Sequence, residues 1–361
     1  MSVKLEQVKE QTREKKEDKK EKVFPASWYI AMESKALGKK PQAIVLFGQD
    51  LVAWRDENGK PVIMERYCSH LGASLAISKR VDGCLECPYH KWRYDNSGQC
   101  VSIPNVENIP SKARQVTYTT VEKYDHIWVW YGSKTPLFPV PVYLPAEKKR
   151  QKDYMAFRFA VESKIPIVTM IENMYDYRHY TSVHSLPIND KVPIEYTLQE
   201  QQHPEQQNEL FITPEAWYRG VIDMSVEKYV LEQFGGITDG IFRILGIKFK
   251  KMTHIIDTWP TGHVLTMLFD DREVMRVMLG STPINANHSI GVALVRVKKT
   301  GNFLLDIIFY MLFAWQSKVS SKKDLPIWGT MKIDGGKIFV KDDYLLLKFR
   351  EFYRKWIDKA E

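Results

Sequence analysis

Cysteine is scarce in this 361-residue chain: there are four, Cys68, Cys84, Cys87 and Cys100, all within 33 positions. So few thiols, closely grouped and with no secretory n-region or h-region ahead of them, argue against a disulfide framework. They suit a reduced metal site in a cytoplasmic protein. Long apolar runs are missing as well. The longest, Phe303 to Trp315, has 13 residues with Asp306 inside it, short of the roughly 20 that span a bilayer, so no transmembrane segment is expected. A strong excess of charge is also lacking. Lys and Arg number 52 against 44 acidic residues, a net charge of +8, which gives little reason to expect a nucleic-acid partner. No Gly-x-Gly-x-x-Gly follows a strand-like run, so the chain has no recognisable route to a nicotinamide or flavin of its own.

What remains is the composition of a folded protein, 44% hydrophobic and 27% charged, long enough for two or three domains. Residues 1–23 carry eight basic and six acidic side chains and almost nothing to bury, so they read as a mobile charged tail. From 24 to 150, short β-rich runs alternate with turns: 43–46, 51–54, 62–64 and 127–131, with Asp95-Asn-Ser-Gly98 as a hairpin signal. This is an all-β domain. The proline-rich segment 137–145 and the charged run 147–153 mark its end. Residues 151–361 mix helical stretches, near 167–182, 301–322 and 342–359, with strand-like pieces such as Ser289 to Lys298. The fold class is therefore α+β.

Two constellations carry chemistry. Cys68-Ser-His70, sixteen residues, then Cys87-Pro-Tyr-His90 give C-x-H-x16-C-x2-H. Two thiolates and two imidazoles divide naturally over the two irons of a [2Fe–2S] cluster, the neutral nitrogens raising its potential above that of all-Cys clusters. Zinc is the competing ligand, because Cys84 and Cys87 form a C-x2-C, but using Cys84 leaves a C-x-H pair at the wrong spacing. With this assignment no C-x4-C-x2-C is left for a second cluster. Cys84 and Cys100 then read as small buried hydrophobes. The second constellation is Asn173, Asp176, His179 and His184, N-x2-D-x2-H-x4-H within the expected helix. The first three recur every three residues and share a helical face, whereas His184 reaches the same point only if the helix bulges or ends. Two imidazoles plus a carboxylate on one side of an iron leave positions open for oxygen and substrate. A surface helix with two chance histidines is the plainer alternative.

The loops CSHLGA (68–73) and CPYHKWRYDNSGQC (87–100), followed by this helix, resemble the Rieske non-haem iron oxygenases over nearly the whole chain. The resemblance implies an N-terminal Rieske [2Fe-2S] domain and a C-terminal catalytic domain of helix-grip type, an antiparallel sheet with helices. It implies one Rieske cluster and one mononuclear Fe(II) per subunit, with His179 and His184 as iron ligands. It makes Asp324, in Lys323-Asp324-Leu-Pro-Ile-Trp328, the third ligand; Asp306 and Asp334 are the other carboxylates in reach. Asp176 becomes a bridge accepting hydrogen bonds from His179 and from a Rieske histidine, His90, of a neighbouring subunit, so a homotrimer is expected, with Asn173 beside it.

Further segments, SWYIAM (27–32), VAWR (52–55), WVWYGS (128–133), IENMYD (171–176), VHSLPI (183–188), IWGTMKIDGG (327–336) and FYRKWID (352–358), resemble arylamine N-oxygenating members of that family. Leu71 and Lys91 stand where many members have Arg and Gly, a departure from the ring dihydroxylases. The implied reaction uses O2 and electrons from a separate ferredoxin or flavin reductase to take an aryl or heteroaryl amine to hydroxylamine, nitroso and nitro products in secondary metabolism. The alternative is C–H hydroxylation, demethylation or desaturation of an apolar substrate. Phe309, Tyr310, Phe313 and Trp315 are candidates for a pocket wall, although such a stripe also suits a helix core.

Overall fold

The structure, a computed structural model, describes residues 23–184, 195–199, 209–225, 249–332, 336 and 338–361. Residues 1–22 of the expected tail, Asp334 and parts of the segments 183–188 and 327–336 lie outside the described residues.

Turn residues cut the first part of the chain into short strands. These are β1 (Ser27–Glu33), β2 (Gln42–Leu46), β3 (Gln49–Arg55), β4 (Pro61–Glu65), β5 (Lys79–Val81) and β6 (Cys84–Glu86). There follow β7 (Arg93–Tyr94), β8 (Cys100–Ser102), β9 (Thr117–Tyr118), β10 (Thr120–Lys123) and β11 (His126–Tyr131). They pair in three antiparallel sheets, ordered β1-β11-β10, β2-β3-β4-β9 and β5-β6-β7-β8. The hairpin between β7 and β8 closes where Asp95 Oδ1 accepts the N–H groups of Ser97 and Gln99. Gly98 there has φ +79°, and a Cβ on it would lie 2.3 Å from the Gln115 carbonyl oxygen, so only glycine fits.

Longer elements follow: β12 (Tyr154–Ser163), α1 (Ile167–Glu172), α2 (Arg178–Ser182), β13 (Glu195–Gln199), β14 (Tyr218–Ser225) and β15 (Lys251–Trp259). Then come β16 (Gly262–Phe269), β17 (Arg272–Asn285), β18 (His288–Lys298), α3 (Phe303–Trp328) and α4 (Tyr344–Asp358). The strands make one antiparallel sheet, β12-β18-β17-β16-β15-β14-β13. Helix α3 lies on β12 and β18, α1 on β17 and β18, and α4 on β14, the helix-gripping α+β arrangement expected. The largest apolar core, beside a smaller one around Trp54, Leu85 and Tyr94, runs from Trp28, Trp128 and Trp130 through Trp259 to Phe349 and Trp356. Polar contacts pin β1 to the large sheet inside it: Thr261 Oγ1 donates to the Trp28 carbonyl at 2.6 Å, and Thr282 Oγ1 to that of Ile30 at 2.9 Å.

Two expectations are corrected. The stretch 167–182 is not one helix: α1 passes into a 3-10 turn, Asn173–Tyr175, and Asp176 leaves helical space at φ −89°, ψ 80° before α2 begins. Tyr175 and Tyr177 are both buried, and residues two apart on a continuous helix point to opposite sides, so the chain has to break between them. Asn173, Asp176 and His179 therefore share no helical face. The apolar run beginning at Phe303 also belongs to a longer element than expected. At 26 residues, α3 is the one helix among the described residues long and apolar enough, by length and composition, to cross a membrane. Its partners here are β12 and β18, and it buries Asp306 and Asp324.

Candidate metal centres and active-site cavity

The loops after β4 and β6 bring the first four candidate ligands together. In the first, Cys68 N–H donates to the Ala73 carbonyl and Gly72 N–H to that of Cys68, both at 2.9 Å. In the second, Cys87 N–H donates to the Trp92 carbonyl at 2.8 Å and Lys91 N–H to that of Cys87 at 3.1 Å. Each turn needs a left-handed residue to close. Gly72 supplies it in one; Lys91, at φ 61°, does so in the other. Cys68 and Cys87 are buried in an apolar cluster with Trp54, Leu85 and Tyr94. The imidazoles of His70 and His90 sit nearer the surface, ring centroids 4.7 Å apart, and His70 stacks on Trp92 at 4.5 Å.

Burial pushes the Cys68 thiol up, and the Cys87 thiol beside it acts in the same direction; the Tyr94 hydroxyl and the His70 backbone N–H oppose them. Tyr94 Oη lies 3.0 Å from both Cys68 Sγ and Ser69 Oγ. Two adjacent thiols buried without a cation are the donor set that a metal cluster deprotonates and neutralises, so these residues fit a Rieske cluster. Cys84 is only half-buried, contrary to expectation, while Cys100 is buried.

The second centre forms where α2 meets α3. Ligand atoms of His179, His184 and Asp324 all lie within 4.8 Å of one another. The imidazole centroids are 4.9 Å apart, and His184 Nε2 is 3.2 Å from Asp324 Oδ1. Helix α2 ends at Ser182 and thereby delivers the second ring. Each imidazole is held by its far nitrogen: His179 Nδ1 bonds the Asp176 carbonyl, and His184 Nδ1 lies 2.9 Å from Ser320 Oγ. Both Nε2 atoms are thus left bare, the tautomer a metal takes, that of His184 toward Asp324 and that of His179 beside the Asn173 amide. Burial lowers the pKa of His179, which favours the neutral ring. Ser320 and Asp324 are one helical turn apart on α3, a spacing legible in the sequence but not read from it.

Asn173 Nδ2 is 3.3 Å from His179 Nε2. The Asp176 carboxylate, 42% exposed, stands 3.8 Å from His179 Nδ1, outside hydrogen-bond range, so within the subunit the bond expected from His179 goes to the Asp176 backbone carbonyl rather than to its side chain. The pair of Glu172 with Arg350, at 2.6 and 2.9 Å, ties the end of α1 to α4. Asp306 takes no part in this centre; it accepts from Thr300 N–H and Oγ1 and so fixes the start of α3.

Over the triad opens a cavity of about 250 Å³ between the sheet and α3. Methionines 170, 174, 252, 267 and 275 form much of its wall, with Phe159 and Phe313. Of the aromatic stripe on α3, Phe313 alone contributes to it. Trp315 is exposed and Tyr310 stands edge-on to Phe157. His254, His263 and Gln316 also line it, and the sequence reading missed them.

A carboxylate and two imidazoles beside an apolar cavity, with a Cys2His2 cluster site on the same chain, define an iron-dependent oxygenase. The Rieske [2Fe-2S] domain model matches residues 27–119. The chain is 38% identical over 342 residues to aminopyrrolnitrin oxygenase PrnD of Pseudomonas fluorescens, covering 93% of this chain and 92% of that one. It is 33% identical over 167 residues to cholesterol 7-desaturase of Bombyx mori, 45% of this chain and 36% of that one. Its fold matches dicamba monooxygenase bound to dicamba, TM-score 0.68 at 16% identity, covering 92% and 97% of the two chains. It likewise matches NdmA of Pseudomonas putida with caffeine, TM-score 0.67 at 18% identity, covering 93% and 91%.

The chain belongs to the Rieske non-haem iron oxygenases. It is a monooxygenase whose cofactors are a Rieske [2Fe–2S] cluster and a mononuclear ferrous iron.

Proposed function

We propose that this enzyme N-oxygenates an aryl or heteroaryl amine, carrying it through hydroxylamine and nitroso stages to the nitro compound in secondary metabolism of the antibiotic type. The observation that carries this reading is an apolar, methionine-rich cavity directly over the His179–His184–Asp324 triad, in a chain 38% identical along almost its whole length to an aminopyrrolnitrin oxygenase. An aryl amine is uncharged near neutral pH and enters such a wall without the cost of burying a charge.

In this reading residues 24–150 are the Rieske domain and 151–361 the catalytic domain. Cys68, His70, Cys87 and His90 hold the cluster, and His179, His184 and Asp324 hold the iron. When bound, the two groups supply one-electron delivery and the reduction of dioxygen. The chain's own residues hold the geometry: Ser320 and the Asp176 carbonyl orient the imidazoles, the wall excludes water, and Asn173 places an amide beside the iron site.

The exposed side of the cluster site, with Leu71 and Tyr89 beside His70 and His90, suits a passing electron donor or a neighbouring subunit. A separate ferredoxin or flavin reductase supplies the electrons. A homotrimer places the Asp176 carboxylate against His90 of the next subunit, coupling the two centres.

The test is a product screen on aromatic amines with a surrogate reductase under 18O2. Labelled nitro or nitroso products support the reading; exclusive oxygenation at carbon overturns it in favour of the C–H hydroxylase alternative.

A further inference from the structure

Buried polar atoms in native proteins are hydrogen-bonded, and the exceptions point to something that completes them. Among the described residues ten buried side-chain nitrogen and oxygen atoms lack a partner, and four of these belong to residues lining the one cavity over the triad: Nδ1 and Nε2 of His254, Nδ1 of His263 and Oε1 of Gln316. His254 and His263 are 3% and 1% exposed. Both occupy inward positions of the sheet, His254 opposite Met267 and His263 opposite Thr258. Four residues, roughly 13 Å, therefore separate them along the strands. Neither is near a described cation or carboxylate that would explain a histidine there, since no lysine, arginine or glutamate lines the cavity and its one carboxylate is Asp324.

We propose that His254 and His263 are specificity-determining residues, each placed to offer a hydrogen bond to an uncharged aromatic amine that carries a ring N–H, hydroxyl or amide besides its amine. This rests on the reading of the cavity as the amine-binding site. Burial holds both rings neutral, His254 lowered to about 4 and His263 to about 3, so each has one N–H donor and one bare nitrogen acceptor. A neutral ring cannot balance an anion, and at the histidines, away from the iron, a carboxylate would meet no side-chain cation. The Gln316 oxygen adds an acceptor for a substrate N–H. A site built around such groups rejects an analogue that leaves them unpaired far more strongly than an apolar wall rejects a missing methylene.

The test is equilibrium dialysis of the holoenzyme against 4-aminobenzyl alcohol, its near-isostere 4-ethylaniline, and 4-aminobenzoate. The wild type is expected to prefer the alcohol over the ethyl compound by at least about tenfold and to bind the benzoate weakest. The probe's one hydroxyl meets only one of two rings so far apart, so in one of His254→Leu and His263→Leu that preference falls to about twofold or less, and the asparagine variant at that position, which keeps a polar group, regains part of it. Unchanged cluster absorption reports an intact fold, and a leucine variant that loses it is replaced by its asparagine counterpart. A preference untouched in every variant, tightest binding of the benzoate, or no binding of any probe overturns the proposal. Products separate the two ideas: carbon-oxygenated products with a histidine-dependent preference sink N-oxygenation and support the histidine assignment, and nitro products with an indifferent preference do the reverse.

Discussion

Ser320 does for His184 what the Asp176 carbonyl does for His179: it takes the far imidazole nitrogen and so aims the near one. Losing such a support typically costs 10 to 100-fold in metal affinity. Ser320→Ala is thus expected to weaken iron binding by about that factor, read by titrating the apoenzyme with ferrous ion, while the cluster's absorption stays unchanged. His254 and His263 set a pH dependence as well. Their folded pKa values, about 4 and about 3, lie below the usual 6.5, so unfolding lets them take up protons. Stability is full above pH 6.5 and declines as pH falls from there toward 4, by roughly 1.4 kcal/mol per unit for each ring. Urea midpoints at pH 7.5 and pH 5 measure this, and His254→Leu should flatten the difference. The two cysteine–histidine pairs were legible because each pair lies within four residues of one loop. His254 and His263 were not, because a histidine alternating with apolar neighbours on a strand looks the same whether it meets a core partner or a cavity.

Helix α3 carries the one ligand that is remote in sequence. Asn302 caps it, its Oδ1 accepting from the N–H groups of Leu304 and Leu305, and Asp306 secures the turn before it. Asn302→Ala is expected to cost about 1 kcal/mol, seen as a lower urea midpoint with an unchanged slope. Periodicity marked this helix and α4, but it could not say that Asp324 rather than Asp306 meets the histidines. That depends on how the sheet returns the chain, and only the family resemblance singled out Asp324. The region 167–182 failed for a related reason. Local propensity favoured an unbroken helix, whereas the burial of both Tyr175 and Tyr177 is a tertiary demand.

At the scale of the molecule, the continuous core from Trp28 to Trp356, which takes in Leu51 of β3 and Ile63 of β4, and the threonine contacts onto β1 join the N-terminal sheets to the large sheet. The sequence showed the two chemistries and the all-β to α+β progression, but not this shared core, whose partners lie more than 200 residues apart. A subunit so joined positions its two metal sites as one unit, and the proposed bridge at Asp176 then acts between subunits. Asp176→Asn is expected to retain cluster absorption and iron content yet lose about 10 to 100-fold of turnover; turnover at the wild-type rate removes the assignment.

The five methionines around the cavity have a consequence of their own. Thioethers are readily converted to sulfoxides, which turns a flexible apolar side chain polar. Idle cycling, with reductant and air but nothing to oxidise, should therefore scar the wall itself. Peptide mass spectrometry after such cycling is expected to find added oxygen on Met170, Met174, Met252, Met267 and Met275 ahead of surface-exposed Met311, and the enzyme's working life becomes a matter of how seldom it fires empty.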